Sequence, residues 1–133
     1  MMTTYERMKR ELESRFNLNE YRHNTVEKIE GHEKAATHMR IYLSDTDASI
    51  GFWSYKTLVM SVHVPNTNNK KCTYNAPYIR ITGLYSATTR KHIGWWMKLL
   101  VNMGVVPYNW NYFTVKQAIA DREDKSAAAY LWF

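Results

Sequence analysis

Either side of Gly83 the apolar residues of this chain obey two different periods, and that change constrains the fold more than any other feature. Upstream, Phe52 to Val64 alternates: Leu58, Met60, Val62 and Val64 share one face, while Tyr55, Thr57, Val59, Ser61 and His63 share the other. The first of these faces is expected to be core. Tyr74 to Thr82 resumes an extended pattern, with Ile79 and Ile81 facing one way, Tyr78 and Arg80 the other, and Pro77 placing an edge or a strand start. Downstream, Ile93, Trp96, Met97, Leu100, Val101 and Gly104 recur at helical steps, and His92, Trp95 and Leu99 widen the stripe. The expected class is therefore α+β, a small antiparallel sheet packed against helices in a single domain over residues 1–133. The main core seam is expected between Leu58, Met60 and Val62 on the strand and Ile93, Trp96, Met97 and Leu100 on the helix.

Other segments fit the same class. Thr3 and Glu6 have capping-box spacing, and Tyr5, Met8, Leu12 and Phe16 follow at three- and four-residue steps, predicting a helix that ends near Asn17 to Asn19. Thr25 to Ile29 and Thr37 to Leu43 are expected to pair as a hairpin, although Glu33-Lys34-Ala35-Ala36 would equally suit a helical turn. Ser44 to Ser49 has the composition of an exposed loop, and Pro65 to Lys71 that of a turn-rich connection. Val105 to Phe113 reads as irregular. Thr114 is expected to cap a last helix carrying Val115, Ile119 and later Ala128, Tyr130 and Leu131.

Charge is distributed unevenly over this frame. From Ala48 to Ala120 there is no aspartate or glutamate, while eight lysines and arginines and four of the five tryptophans fall inside the block. Such a block serves as a nucleic-acid face, as a surface that docks on an acidic protein, or as a solvated exterior around an aromatic core. A chain of 133 residues buries enough surface to fold without a disulfide or metal, and no apolar run approaches the roughly 18 residues of a membrane span. The charged amino terminus lacks a signal-peptide core and Cys72 is the single cysteine, so an intracellular, reducing compartment is expected and no membrane partner.

The residue types that carry chemistry are sparse. His23, His32, His38, His63, His92 and Cys72 show no paired metal-ligand spacing, so neither a metal nor a cofactor is expected. Cys72 sits beside Lys70 and Lys71, which favour a thiolate, but no nucleophile motif, facing carboxylate pair or Gly-rich phosphate loop accompanies it. The expectation is a binding protein without catalytic residues. Positive charge at Arg90 and Lys91, in the first turns of the second helix, sits poorly with the helix dipole and suits either a nearby anion or a solvated cap.

The segments Ser54-Tyr55-Lys56-Thr57-Leu58-Val59 and Tyr85-Ser86-Ala87-Thr88-Thr89-Arg90-Lys91-His92-Ile93 together resemble small uncharacterised proteins of phages and other mobile elements. Those show a Ser-Tyr-x-Thr strand followed by a Tyr-Ser-x-Thr-Thr-x-Lys-His helix start. The resemblance covers Tyr21 to Leu100, and the Ser44–Ser49 loop and Asn66–Lys71 hairpin lie outside its pattern. It implies a host-takeover or anti-defence factor, including inhibitors of CRISPR–Cas nucleases, acting in the host cytoplasm on a nuclease or another acidic protein surface. Aromatic and cationic anchors dominate interfaces of that kind, which nominates Lys70, Lys71, Tyr85, Arg90, Lys91, Trp95 and Lys98 as partner-binding residues. The alternative is a single-stranded nucleic-acid-binding module in which Tyr55, His63, Tyr78 and Arg80 share a sheet face and bases stack on the aromatics. Trp53, Trp96 and Trp110 are equally well read as core, and Trp95 lies off the main stripe.

Overall fold

The computed structural model describes residues 1–18 and 24–133. In chain order the elements are α1 (Thr4–Phe16), β1 (Asn24–Glu27), β2 (Thr37–Leu43), β3 (Asp47–Ser54), β4 (Thr57–Pro65), β5 (Tyr78–Ile81), α2 (Ala87–Asn102), α3 (Tyr112–Asp121) and β6 (Ala129–Trp132). The six strands form one antiparallel sheet in sequence order, with α2 and α3 inserted between the neighbours β5 and β6. This is the small α+β domain that the two periods demand.

Each boundary has a local cause. Thr3 caps α1 by accepting from the Glu6 amide, and Asn17 ends it in the left-handed region at φ 53°, as short amide side chains tolerate. Asn19 and His23 fall outside the described residues. β1 and β2 pair as the expected hairpin, Val26 opposite Arg40. Ser86 caps α2 by accepting from the Thr89 amide, and Gly104 follows the helix at φ 72°, where a side chain would be strained.

Five expectations are corrected. The single strand from Phe52 to Val64 is two strands, β3 and β4, joined by Tyr55-Lys56 with Ser54 opposite Thr57. Tyr55 takes a positive φ of 54° although it is not glycine, and its amide donates to the Ala36 carbonyl at 2.8 Å, so the reversal is held by the β1–β2 loop rather than by turn-forming residues. A bulge between Phe52 and Trp53 then sets Leu58 opposite Trp53 and Met60 opposite Phe52. Leu58 is thereby 38% exposed and leaves the core seam, and Val59 is buried instead. The Ser44–Ser49 loop shrinks to a turn at Ser44-Asp45-Thr46, because Ala48 and Ile50 bury themselves as strand residues and draw Asp47 and Ser49 into β3. Asn111 rather than Thr114 caps α3, with Thr114 completing the capping box by accepting from the Asn111 amide. The last helix stops at Asp121, and Tyr130 and Leu131 belong to β6, where pairing with Arg80 and Ile79 overrides any helical tendency of four residues.

All three helices share one core with one face of the sheet. Met8 and Leu12 of α1, Ile93, Trp96, Met97 and Leu100 of α2 and Val115 of α3 join Met39, Ile41, Ile50, Phe52, Met60, Val62, Ile79 and Ile81. The Trp96 ring lies 5.4 Å from that of Phe52. Its indole N–H donates to Thr37 Oγ1 at 2.9 Å, and that hydroxyl donates to the Trp53 carbonyl at 2.7 Å, so the one polar atom of the ring is satisfied inside the core. Helices cover this face alone.

Candidate functional site on the open sheet face

Alternation along a strand sends every second side chain to the side the helices leave uncovered. On β2 these are His38, Arg40 and Tyr42; on β3 Ser49, Gly51 and Trp53; on β4 Leu58, Ser61 and His63. β5 adds Tyr78 and Arg80, and β6 adds Tyr130 and Trp132. Antiparallel register lines them up in rows across the sheet. One row runs Tyr42, Ser49, His63, Tyr78, Trp132. The next runs Arg40, Gly51, Ser61, Arg80, Tyr130. The two arginines stand three strand spacings apart, roughly 14–15 Å.

The aromatic row is a continuous surface at one end. The rings of His63 and Tyr78 are 4.8 Å apart and nearly parallel, and Tyr78 lies 4.8 Å from Trp132. His38 stacks on Trp53 at 5.6 Å. Burial lowers the pKa of His63, and Arg80 adds to that against the opposing pull of Asp47. Burial likewise lowers His38, helped by Lys28 and Arg40. Both rings are accordingly neutral at pH 7 and present aromatic rather than cationic faces.

Among the described residues only one acid is carried on this side of any strand. Asp47 sits at the start of β3, and its carboxylate accepts from Ser44 Oγ at 3.0 Å and from the Tyr74 hydroxyl at 3.1 Å. Burial and the Asp47 carboxylate raise the Tyr74 pKa, which keeps that phenol a donor. The centre of the face holds the small residues Ser49, Gly51 and Ser61. They floor a hollow of about 210 Å³ walled by Tyr42, Trp53, Leu58 and His63, with Arg40 at its rim.

The residues nominated from sequence are divided by the fold. Lys70 and Lys71 are exposed in the β4–β5 connection, whereas Tyr85, Arg90 and Lys91 lie at the opposite end of the strands, where α2 begins. Lys91, Trp95 and Lys98 form one stripe along the outer side of α2. Trp95 is already occupied: His32 stacks on it at 3.6 Å and 7°, and Lys91 Nζ lies 5.5 Å from its ring. The exposed Tyr85 adopts φ 53° and its hydroxyl donates to Thr82 Oγ1. His63, Tyr78 and Arg80 do share the open face, as expected of a nucleic-acid surface, while Tyr55 sits in the β3–β4 turn. Trp53 is half-buried on that face rather than core, and Trp110 is half-buried against Phe133. Arg40, Tyr42, Tyr130 and Trp132 were not nominated; the alternation of His38, Arg40 and Tyr42 with Met39, Ile41 and Leu43 is the signal that exposes the first two.

The two motifs of the resemblance meet inside the molecule. Ser54 Oγ and His92 Nδ1 share a hydrogen bond of 2.8 Å, and Ser54 Oγ and Thr89 Oγ1 are 3.2 Å apart, as are Ser86 Oγ and Thr89 Oγ1. Ser54 and His92 are each only 2% exposed. Burial, with Lys91, His32 and Lys28 adding to it, lowers the His92 pKa and keeps the ring neutral. The cluster thus ties the end of β3 to the first turns of α2. Among the described residues no group of three or more His, Cys, Asp or Glu is arranged to hold a metal, and His23 lies outside them. The half-buried Cys72 thiol donates to the Tyr74 carbonyl. Among the described residues no helix is long and apolar enough to cross a membrane.

No family model, curated protein sequence or solved structure matches the chain.

Proposed function

We propose that this protein binds single-stranded nucleic acid on its open sheet face, and that it acts by binding, without a chemical step. The observation that carries the reading is the pair of adjacent rows: aromatic rings in one, Arg40 and Arg80 flanking small residues in the other, with Asp47, the single acid of that face among the described residues, engaged at its margin. A duplex hides its bases from such a surface, whereas an unpaired strand offers each base to a ring and each phosphate to a guanidinium. Stacking of this type contributes about 1–3 kcal/mol per base, and the arginines supply a salt-sensitive term.

The test is titration of the intrinsic tryptophan fluorescence with single-stranded oligonucleotides over a range of salt. Trp53 and Trp132 should be quenched, and log affinity should fall with log salt at about −0.7 per phosphate neutralised, hence about −1.4 for Arg40 and Arg80. Unchanged emission with every oligonucleotide at low salt, or a stable dimer that protects Trp132, would overturn the reading.

The resemblance to phage and mobile-element proteins supports a second proposal, inhibition of a host defence nuclease in the host cytoplasm, a CRISPR effector with an acidic docking surface. What favours it is the stripe Lys91, Trp95, Lys98 on α2, on the side of the molecule opposite the aromatic rows, where among the described residues no acid pairs with either lysine. Reversing Lys70, Lys71, Arg90 and Lys91 to Glu leaves the fold intact on this reading and weakens capture of the nuclease most at low salt. Capture equal to wild type would discard it.

A further inference from the structure

The hollow at the centre of the open face has a feature that packing does not require. Gly51 lies mid-strand in β3 without a positive φ, so its backbone does not demand glycine. A Cβ at that position would stand 3.1 Å from Leu58 Cδ1 and 3.5 Å from Trp53 Nε1. Leu58 Cδ1 is the free end of an exposed side chain that can swing aside, so alanine would be accommodated. Glycine in a strand interior loses conformational entropy and packs nothing, and one of its recurrent uses is to leave room where a ligand approaches the backbone. At about 210 Å³ the hollow falls below the roughly 300–1,000 Å³ of sites that enclose a drug-sized ligand, so it admits one small planar ring.

We propose that this hollow holds one pyrimidine base of the bound strand, lifted out of the stack and seated over Gly51. The inference rests on the nucleic-acid reading and adds to it a base preference. Trp53 supplies the donor: among the described residues no protein acceptor meets its indole N–H, and Nε1 borders the space above Gly51. Ser49 and Ser61 place hydroxyls at the floor, and Ser61 Oγ shares a hydrogen bond of 2.9 Å with Nε2 of the neutral His63; with the ring proton on Nε2 the Ser61 hydroxyl accepts from His63 and is left to donate to a base. A uracil or thymine ring carries two carbonyl acceptors on opposite sides of its N–H, matching a donor on the wall and hydroxyls on the floor. Arg40, opposite Gly51 in the register, is placed for the phosphate of the same nucleotide.

The test uses the full-length chain with oligo-dT and oligo-dA of equal length, and with oligo-dT carrying a single central abasic site. Wild type is expected to bind oligo-dT about tenfold more tightly than oligo-dA, which one well-placed pair of contacts suffices to produce. Gly51→Val fills the hollow. It is expected to bring the two affinities within about twofold while salt-dependent binding persists. Trp53→Phe, which keeps a ring and removes the N–H, is expected to lower the preference with little effect on folding, and it serves if the valine variant unfolds. Equal binding of dT and dA by wild type, or an undiminished preference in both variants, overturns the base site while leaving the platform standing. Absence of binding to any oligonucleotide overturns both.

Discussion

The two faces of the sheet are built from the same strands by the same alternation, yet they differ in kind. The helix-covered face is almost wholly aliphatic with Phe52 and is sealed from solvent. The open face carries His38, Arg40, Tyr42, Trp53, His63, Tyr78, Arg80, Tyr130 and Trp132. Antiparallel sheets with one solvated face normally alternate apolar-in with polar-out. Here the outer set is aromatic and cationic instead, and Val26, Tyr42, Leu58, Tyr130 and Trp132 are exposed on it, while Tyr55, Tyr85, Tyr108 and Phe113 are exposed elsewhere. On the proposed reading these exposed rings are the binding surface, whereas the covered face serves stability alone.

Two tryptophans put that contrast to the strongest test. Trp96→Ala should cost about 3–5 kcal/mol in urea or thermal melts, because it empties a sealed site and removes the indole N–H that Thr37 Oγ1 accepts from. Trp132→Ala, at 60% exposure on the other face, should cost less than about 1 kcal/mol of stability. Similar losses from both would erase the distinction between the faces.

Ser54→Ala probes the polar joint below the helix-covered side. It should lose about 1–3 kcal/mol, because Nδ1 of the buried His92 is left without its partner. A cost near zero would mean that the two motif segments are not held together by this cluster.

On the open side, Tyr78→Ala removes the ring that touches His63 and Trp132, and oligonucleotide affinity should fall by about 1–3 kcal/mol. Unaltered affinity in a folded Tyr78→Ala protein would turn the aromatic row into inert surface.

Acid should act on both faces, more weakly. His38, His63 and His92 all have folded pKa values below the ordinary histidine value, so on lowering the pH the unfolded chain takes up protons first. Stability is then full above about pH 6.5 and declines as pH falls from there through the lowered folded values. Urea midpoints measured from pH 8 to pH 5 check this, and a flat profile would show that the rings ionise freely in the fold. Smallest of all, Lys98→Ala on the outer side of α2 should stay within about 0.5 kcal/mol of wild type.

Much of this contrast is legible in sequence, and the failures have specific causes. The alternation of Ile79 and Ile81 with Tyr78 and Arg80 assigns those four side chains to their faces correctly. Trp96 is legible as core because the helical stripe repeats often enough to fix its phase. Leu58 fails because a bulge shifts its parity by one, and no residue near Phe52 announces a bulge. The Tyr55-Lys56 reversal fails because its positive φ is held by a distant carbonyl, not by Gly, Asn or Asp. β6 fails because four residues carry too little pattern to outweigh a neighbouring helix, so only pairing with β5 makes them a strand.

What the sequence determined alone is what depends on near neighbours: the periods of the longer elements, the cap at Thr3, and the stretch from Ala48 to Ala120 that carries no acid. Such features arise from contacts within a few residues and are written in adjacent letters. The candidate site needs register between strands far apart in the chain. Tyr42 and Trp132 belong to one row only because four strand pairings align them, and Ser54 meets His92 only because β3 and α2 close on the same core. Long-range pairing is decided by the collective burial of the inner face, and the outer face inherits its geometry from that burial.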